Sequence, residues 1–324
     1  LDGGYTTRLF KVFNASLNLN NVEIRNGNAT FGGAIMAMDS NLTLDGVTFA
    51  DNTANDKNGG AMFVYGGSII SFKGVSSFSE NSAFHSGGAI CAVVDSTLSW
   101  VANATFDRNH ADNYHGGALF LEDGSNASWS ADVILADNYA GYEGGAIFTD
   151  VGGETTFVNN TCGSQGGAVS SRALDSTTSS NLGNGKSTLL INSTTMFDNN
   201  TCESDGGGLA MLGGLSVLFE MDNTTFINNK ANVAGGAVSI SATGEGPTFT
   251  NVTFRSNLAK TGGAIFITGS STLLGDDDTS ATFEGSVFIG NIAEATGGAI
   301  EIATGTAAIS NTIFKSNEAR YGGA

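Results

Sequence analysis

Proline occurs once in the 324 residues, at Pro247, and cysteine three times, at Cys91, Cys162 and Cys202. Basic residues number 13 against 31 acidic ones, which leaves a net charge of −18. That balance opposes contact with nucleic acid or anionic lipid, so neither is expected as a partner. Apolar runs fall short of the roughly 20 residues that cross a bilayer, so no direct membrane insertion by this segment is expected. Disorder is also disfavoured, because apolar residues still make up 40% of the chain. What is abundant is glycine, 46 in all, with Asn, Ser and Thr, a composition suited to short strands separated by tight turns.

The glycines are not scattered. Pairs that continue into Ala or, once, into a third glycine begin at Gly32, Gly59, Gly87, Gly116, Gly144, Gly166, Gly206, Gly235, Gly262, Gly297 and Gly322, and all but Gly206-Gly207-Gly208 read Gly-Gly-Ala. Successive pairs lie 27, 28, 29, 28, 22, 40, 29, 27, 35 and 25 residues apart. Self-similarity at such a period marks an array in which each repeat buries its apolar face against its neighbours. One elongated domain over 1–324 is expected, with loop insertions at 174–187 and 270–281 in the two longest intervals. The chain opens on Leu1-Asp2-Gly3-Gly4, with Gly3 sitting 29 residues before Gly32, and closes on Gly322-Gly323-Ala324, so both ends read as cuts through a longer array.

A second motif, Phe-x-x-Asn-x-Ala, precedes the glycines, as in Phe78/Asn81/Ala83, Phe106/Asn109/Ala111, Phe226/Asn229/Ala231 and Phe254/Asn257/Ala259. The first copy is degenerate, around Ile24, Gly27 and Ala29. Only eight to ten residues separate the Phe from the glycines, too few for a helix. Period-two alternation after the glycines, as in Leu119 and Leu121, predicts a strand, and a further short strand precedes each Phe. About three strands per turn, stacked in register, give an all-β fold, a parallel β-helix or β-solenoid of about eleven turns of roughly 29 residues. The Phe column then reads as an internal ladder in preference to a ligand-stacking track. The Asn column satisfies buried turn backbone with its amides. The glycines feed strands where a phosphate-binding loop feeds a helix, and so serve as corner pieces.

Phe-x-x-Asn paired with Gly-Gly-Ala-[Ile/Leu/Val] resembles the repeats of the chlamydial polymorphic outer-membrane proteins, over nearly the whole chain. The resemblance implies a right-handed β-helix displayed outside the cell, in the chlamydial case the adhesive passenger of an autotransporter. The expected function is that of a non-enzymatic extracellular repeat protein, a cell-surface adhesin or a structural subunit of a surface appendage or fibre. Expected partners are other copies of the chain, or surface proteins and glycans. A polysaccharide lyase or hydrolase on the same scaffold is the alternative.

Several positions stand out against the repeat. Cys162 and Cys202 replace the Ala of the second motif in consecutive copies. If the 40-residue interval is one turn, they stack at about 4.8 Å and a disulfide forms; if it is two turns, they lie beyond reach. A bridge would place the protein in an oxidising compartment. Candidate glycosylation sequons begin at Asn14, Asn28, Asn41, Asn103, Asn126, Asn159, Asn192, Asn199, Asn223 and Asn251. Strand alternation turns Met36, Phe63, Cys91, Phe120, Phe148 and Phe266 outward, an interface candidate if they are exposed. Asp39, Asp95, Asp123 and Asp150 recur after the glycines as a possible carboxylate column, read here as solvated turn residues. His85, His110 and His115 share neighbouring turns at unequal offsets. No catalytic residue and no cofactor is expected, beyond a weak structural calcium candidate at Asp276, Asp277 and Asp278. The run from Gly183 to Thr188 has the ending of a nucleotide-binding loop but lacks its first glycine, the position held by Ser180.

Overall fold

A computed structural model describes residues 1–148, 155–173, 189–191, 194–215, 219–244, 246–269 and 280–324. Among them there is no helix; every regular element is a strand, and every strand pair is parallel. They fall into two compact units, Leu1–Thr156 and Phe157–Ala324, each a β-solenoid. The expected insertion 174–187 lies outside the described residues. So does 270–281, apart from Ser280 and Ala281, which open the strand Ser280–Glu284.

One turn of the first unit shows the plan. The glycine pair leads into Met62–Tyr65, followed by Ile69–Phe72, Ser76–Ser79 and the two-residue strand Ser82–Ala83 before the next glycines. Each turn thus has four strands where the sequence pattern suggested about three. The fourth is the Ala of the second motif with the residue before it, too short to show alternation. Complete four-strand turns number five in each unit among the described residues, slightly fewer than the eleven that the glycine pairs suggested. The second unit repeats the plan, for example in Val238–Gly244, Thr248–Thr250, Thr253–Arg255 and Leu258–Thr261.

Parallel in-register pairing stacks like on like. Phe78 is the register partner of Phe49 and Phe106, and the rings lie parallel with centroids 4.9 and 4.7 Å apart. In the second unit Phe157, Phe197, Phe226, Phe254, Phe288 and Phe314 form one continuous stack. A second inner ladder comes from the strand before, with Phe72 on Trp100 at 4.4 Å, and Phe249 on Phe283 at 5.0 Å. The two ladders meet edge to face, as between Phe72 and Phe78, so ring quadrupoles are satisfied in both directions. All of these Phe-column rings except the terminal Phe314 are buried, so they form the core and not a binding track.

Beside the rings runs a column of buried amides. Asn52, Asn81, Asn109 and Asn138 stack in the first unit; Asn160, Asn200, Asn229, Asn257, Asn291 and Asn317 stack in the second. Asn229 is typical. Its Nδ2 donates to Phe197 O at 2.9 Å and to Asn257 Oδ1 at 3.1 Å, while its Oδ1 accepts from both the backbone N and Nδ2 of Asn200. All four hydrogen-bonding positions of the amide are used. In the degenerate first turn Gly27 stands in the column, and its backbone N–H donates to Asn52 Oδ1.

The glycine pair closes the turn, for two different reasons. Gly59 adopts φ +72°, the left-handed region, and a Cβ there would overlap the carbonyl of Met62. Gly60 has ordinary φ, but its Cβ would meet the Ser82 carbonyl oxygen at 2.6 Å and overlap that of Gly88 in the next turn. Only hydrogen fits between backbones packed this closely. The Gly60→Ala variant is therefore expected to destabilise the first unit severely. Gly67→Ala is the control: its φ is +68° with nothing within 4 Å, so it should cost only about 1–2 kcal/mol for the left-handed backbone. Thermal unfolding of the two variants checks the difference. Asn229→Ala strands two donors of Asn200 and the Phe197 carbonyl, which is expected to cost about 3–9 kcal/mol at roughly 1–3 per buried group. Hydrogen exchange at the Asn200 amide should accelerate in parallel.

Candidate functional site

Most of the outward-directed stripe is not exposed. Phe63, Cys91 and Phe120 are buried and form a satellite cluster, with Phe31, Met36 and Val93 packed against it. Alternation does point these side chains out of the inner core, but the segment before each glycine pair folds over them: Phe31 lies 4.7 Å from Phe63, and the His115 ring stacks on Phe120 at 6.0 Å. The interface expectation fails for these three residues. Met36 and Phe266 are half-buried, and Phe148 lies outside the residues whose side chains are described.

What the covering segments present to solvent is a different aromatic surface. Phe84, Tyr114 and Tyr142, in three consecutive turns of the first unit, are 44%, 48% and 46% exposed. Two histidines link them. His85 lies 5.2 Å from Phe84 and edge-on to Tyr114 at 5.0 Å, and His115 lies 6.1 Å from Tyr114 and edge-on to Tyr142 at 5.4 Å. Backbone pairing fixes the spacing, with Tyr142 N donating to Tyr114 O and His85 N to Lys57 O. Beneath, the Glu143 carboxylate is buried and lies 3.6 Å from His115 Nδ1. The chain holds five rings at one corner, above a packed apolar floor. Such a surface stacks on flat apolar or sugar-ring faces and offers imidazole and phenol groups for hydrogen bonds.

Sequence reading missed this corner because it followed the strands. The signal was present: His85, Tyr114 and Tyr142 each stand two residues before the first glycine of a pair. His110 is separate. It sits on the Ala strand, in register with Ser82 and Tyr139, 3.1 Å from Asp112 Oδ1. The three histidines therefore do not converge, and no group of three or more metal-ligating side chains occurs among the described residues.

The carboxylate column is equally plain. Asp39, Asp95 and Asp123 occupy left-handed turn positions, with φ of 49°, 54° and 54°. Asp95 N donates to the Asp123 carbonyl at 2.8 Å, so these two stack along a corner. Asp150 and Asp276, Asp277 and Asp278 lie outside the described residues. Elsewhere Glu220 and Asp222 share a shallow depression with Met221, Thr248 and Thr250, and among the described residues no basic one lines it. Of the sequons, Asn14, Asn41, Asn103, Asn126, Asn159, Asn199, Asn223 and Asn251 are exposed. Asn28 is half-buried and donates to Tyr5 O at 3.0 Å, while Asn192 lies outside the described residues.

The cysteines differ in kind. Cys162 and Cys202 are register partners in adjacent turns, both fully buried, with sulfurs 2.8 Å apart. The 40-residue interval is thus a single turn. Cys91 is buried with Phe63 and Phe120; burial first, then the charges of Glu122 and Asp123, pushes its thiol far up. Burial likewise raises the Glu122 carboxyl. A thiol in that state has almost no thiolate at neutral pH and is inert. Alkylation of the folded protein at neutral pH should leave Cys91 unmodified, with full modification after denaturation; peptide mass mapping reads the outcome.

No helix among the described residues is long and apolar enough to cross a membrane. Neither the curated proteins nor the solved structures contain a match to the chain. Three segments, residues 75–93, 154–172 and 223–241, match the family model described as the Chlamydia polymorphic membrane protein repeat. Residues 75–93 and 223–241 each run from a Phe strand, through a buried Asn and a glycine pair, into the following strand. These three segments are therefore repeats of the Chlamydia polymorphic membrane protein type.

Proposed function

We propose that this chain is a non-enzymatic, surface-displayed repeat protein that acts as an adhesin, and that the corner formed by Phe84, His85, Tyr114, His115 and Tyr142 is its contact surface. The carrying observation is the solvent exposure of three aromatic side chains in consecutive turns, outside the inner Phe column, which is buried up to its terminal Phe314. Exposed apolar surface of that kind marks interaction sites, and aromatic anchors dominate the energy of such contacts. The repeat type supports a location at the cell surface or outside the cell. Surface proteins or glycans of another cell are the partners this surface suits, and the chain's net charge of −18 disfavours polyanionic ones.

The rival reading, a carbohydrate-active enzyme, draws less support. Asp39, Asp95 and Asp123 serve turns, and such hydrolysis needs two carboxylates facing each other across a bound sugar. Assembly into a fibre draws on the open strand edges that a solenoid end presents. Binding of the purified protein to fixed cells, followed by flow cytometry, tests the adhesin. The triple variant Phe84→Ser, Tyr114→Ser, Tyr142→Ser should lose at least tenfold in apparent affinity with an unchanged unfolding midpoint. A triple change at the exposed Thr306, Ser310 and Lys315 should leave binding intact. Equal binding by all three proteins contradicts the assignment of the corner, and absence of binding by the parent protein contradicts the adhesin.

A further inference from the structure

We propose that Cys162 and Cys202 form a disulfide that staples two successive turns of the second unit. Three observations carry it. The residues are direct register partners on parallel two-residue strands, Thr161–Cys162 and Thr201–Cys202. In-register parallel neighbours stand about 4.8 Å apart at Cα, within the span a disulfide accepts. Their sulfurs approach to 2.8 Å, closer than two non-bonded sulfurs settle. Both side chains are fully buried, so the pair sits side by side inside the packed column.

The column itself argues for a specific purpose. Cys202 pairs on its other side with Ala231, and further turns of the unit carry Ala259, Ala293 and Ala319 at this place. Alanine therefore fills the site adequately. Two larger, oxidisable side chains occur here in adjacent turns, and they bracket the longest interval in the chain, 40 residues. A bond at this point closes the turn whose strands are furthest apart in sequence. Oxidation would remove the hydrogen bond from the Cys202 thiol to the Ser164 carbonyl. That carbonyl keeps the backbone N–H groups of Ser204 and Asp205, so no buried acceptor is stranded.

The oxidant is an external disulfide, such as oxidised glutathione, acting before the turns close over the sulfurs. One cysteine thiolate attacks the external disulfide and expels a thiolate. The second cysteine, as its thiolate, attacks the resulting mixed disulfide and expels the other. Two protein thiols are oxidised, one external disulfide is reduced to two thiols, and the thiol protons pass to the departing groups.

The test is to refold the chain in oxidised or in reduced glutathione, denature each product and count maleimide additions. Oxidative refolding should give one addition per chain, at Cys91, and a product lighter by two hydrogens before labelling. Peptide mapping without reductant should show Cys162 and Cys202 in one cross-linked species. The reduced product should unfold at a lower temperature. In the double variant Cys162→Ala, Cys202→Ala, which restores the alanine column and should fold, that redox-dependent difference should vanish. Three additions after oxidative refolding would overturn the proposal. So would a cross-link involving Cys91, a link between chains, or a redox-dependent midpoint that survives in the double variant. None of these outcomes bears on the adhesive corner, which lies in the other unit.

Discussion

The buried asparagine amide sets the phase between successive turns. Parallel strand pairing alone would let a turn slide along its neighbour by two residues without losing backbone hydrogen bonds. The amide forbids it. In the second unit Asn200, Asn229, Asn257 and Asn291 each spend both donors and both acceptors on defined atoms of the turns above and below. Displacement would strand several buried polar groups together, each at about 1–3 kcal/mol. Asp has no donors and would stack like charges, while Ser has one donor and a shorter reach. The amide is the side chain of this length that can both give and take along a column.

The column has a backbone requirement. The residue before each buried Asn adopts the left-handed region, for example Asp51, Glu80, Arg108, Asp137, Asn228 and Ser256, with φ between 51° and 56°. Asn, Asp and Ser tolerate this through local hydrogen bonds, whereas Glu and Arg do so at greater cost. The two bulky residues fall in adjacent turns, and Arg108 Nη2 lies 2.7 Å from Glu80 Oε1. That exposed pair stabilises by at most about 1 kcal/mol, comparable with the backbone cost it accompanies.

The sequence spelled out the inner columns because each is a repeated residue at a repeated offset: Phe, Asn, Ala, and the glycine pair. The two-residue Ala strand escaped, since alternation needs more residues than it has. The fate of Phe63, Cys91 and Phe120 escaped for a different reason. Alternation placed them outside the core correctly, but their burial depends on how the segments carrying Phe31 and His115 fold across them. That is a property of loops, whose residues change from turn to turn. The aromatic corner was hidden by the same change: Lys57, His85, Tyr114 and Tyr142 hold one place in the repeat, and no single residue type announces it.

Stacking also decides where the repeat accepts extra residues. Between the Phe strand and the glycines the length hardly varies, because Asn and glycine pack against backbone on both neighbouring turns and leave no room. Between the strand after the glycines and the next one, the turn lies on the surface. In the second unit both long intervals expand at that one junction, between Val169–Ala173 and Leu189–Ile191, and between Ile265–Gly269 and Ser280–Glu284. Each turn contacts only its neighbours, and the strands that flank both intervals keep their register with the turns beside them. The 40-residue interval is the longest in the chain, and it is the one bracketed by Cys162 and Cys202 in the alanine column. A solenoid of this kind divides its corners by tolerance: the Asn-glycine corner holds the register and can vary only in side chains that point outward, as at Tyr114 and Tyr142, while the opposite end of the same strand is free to vary in length.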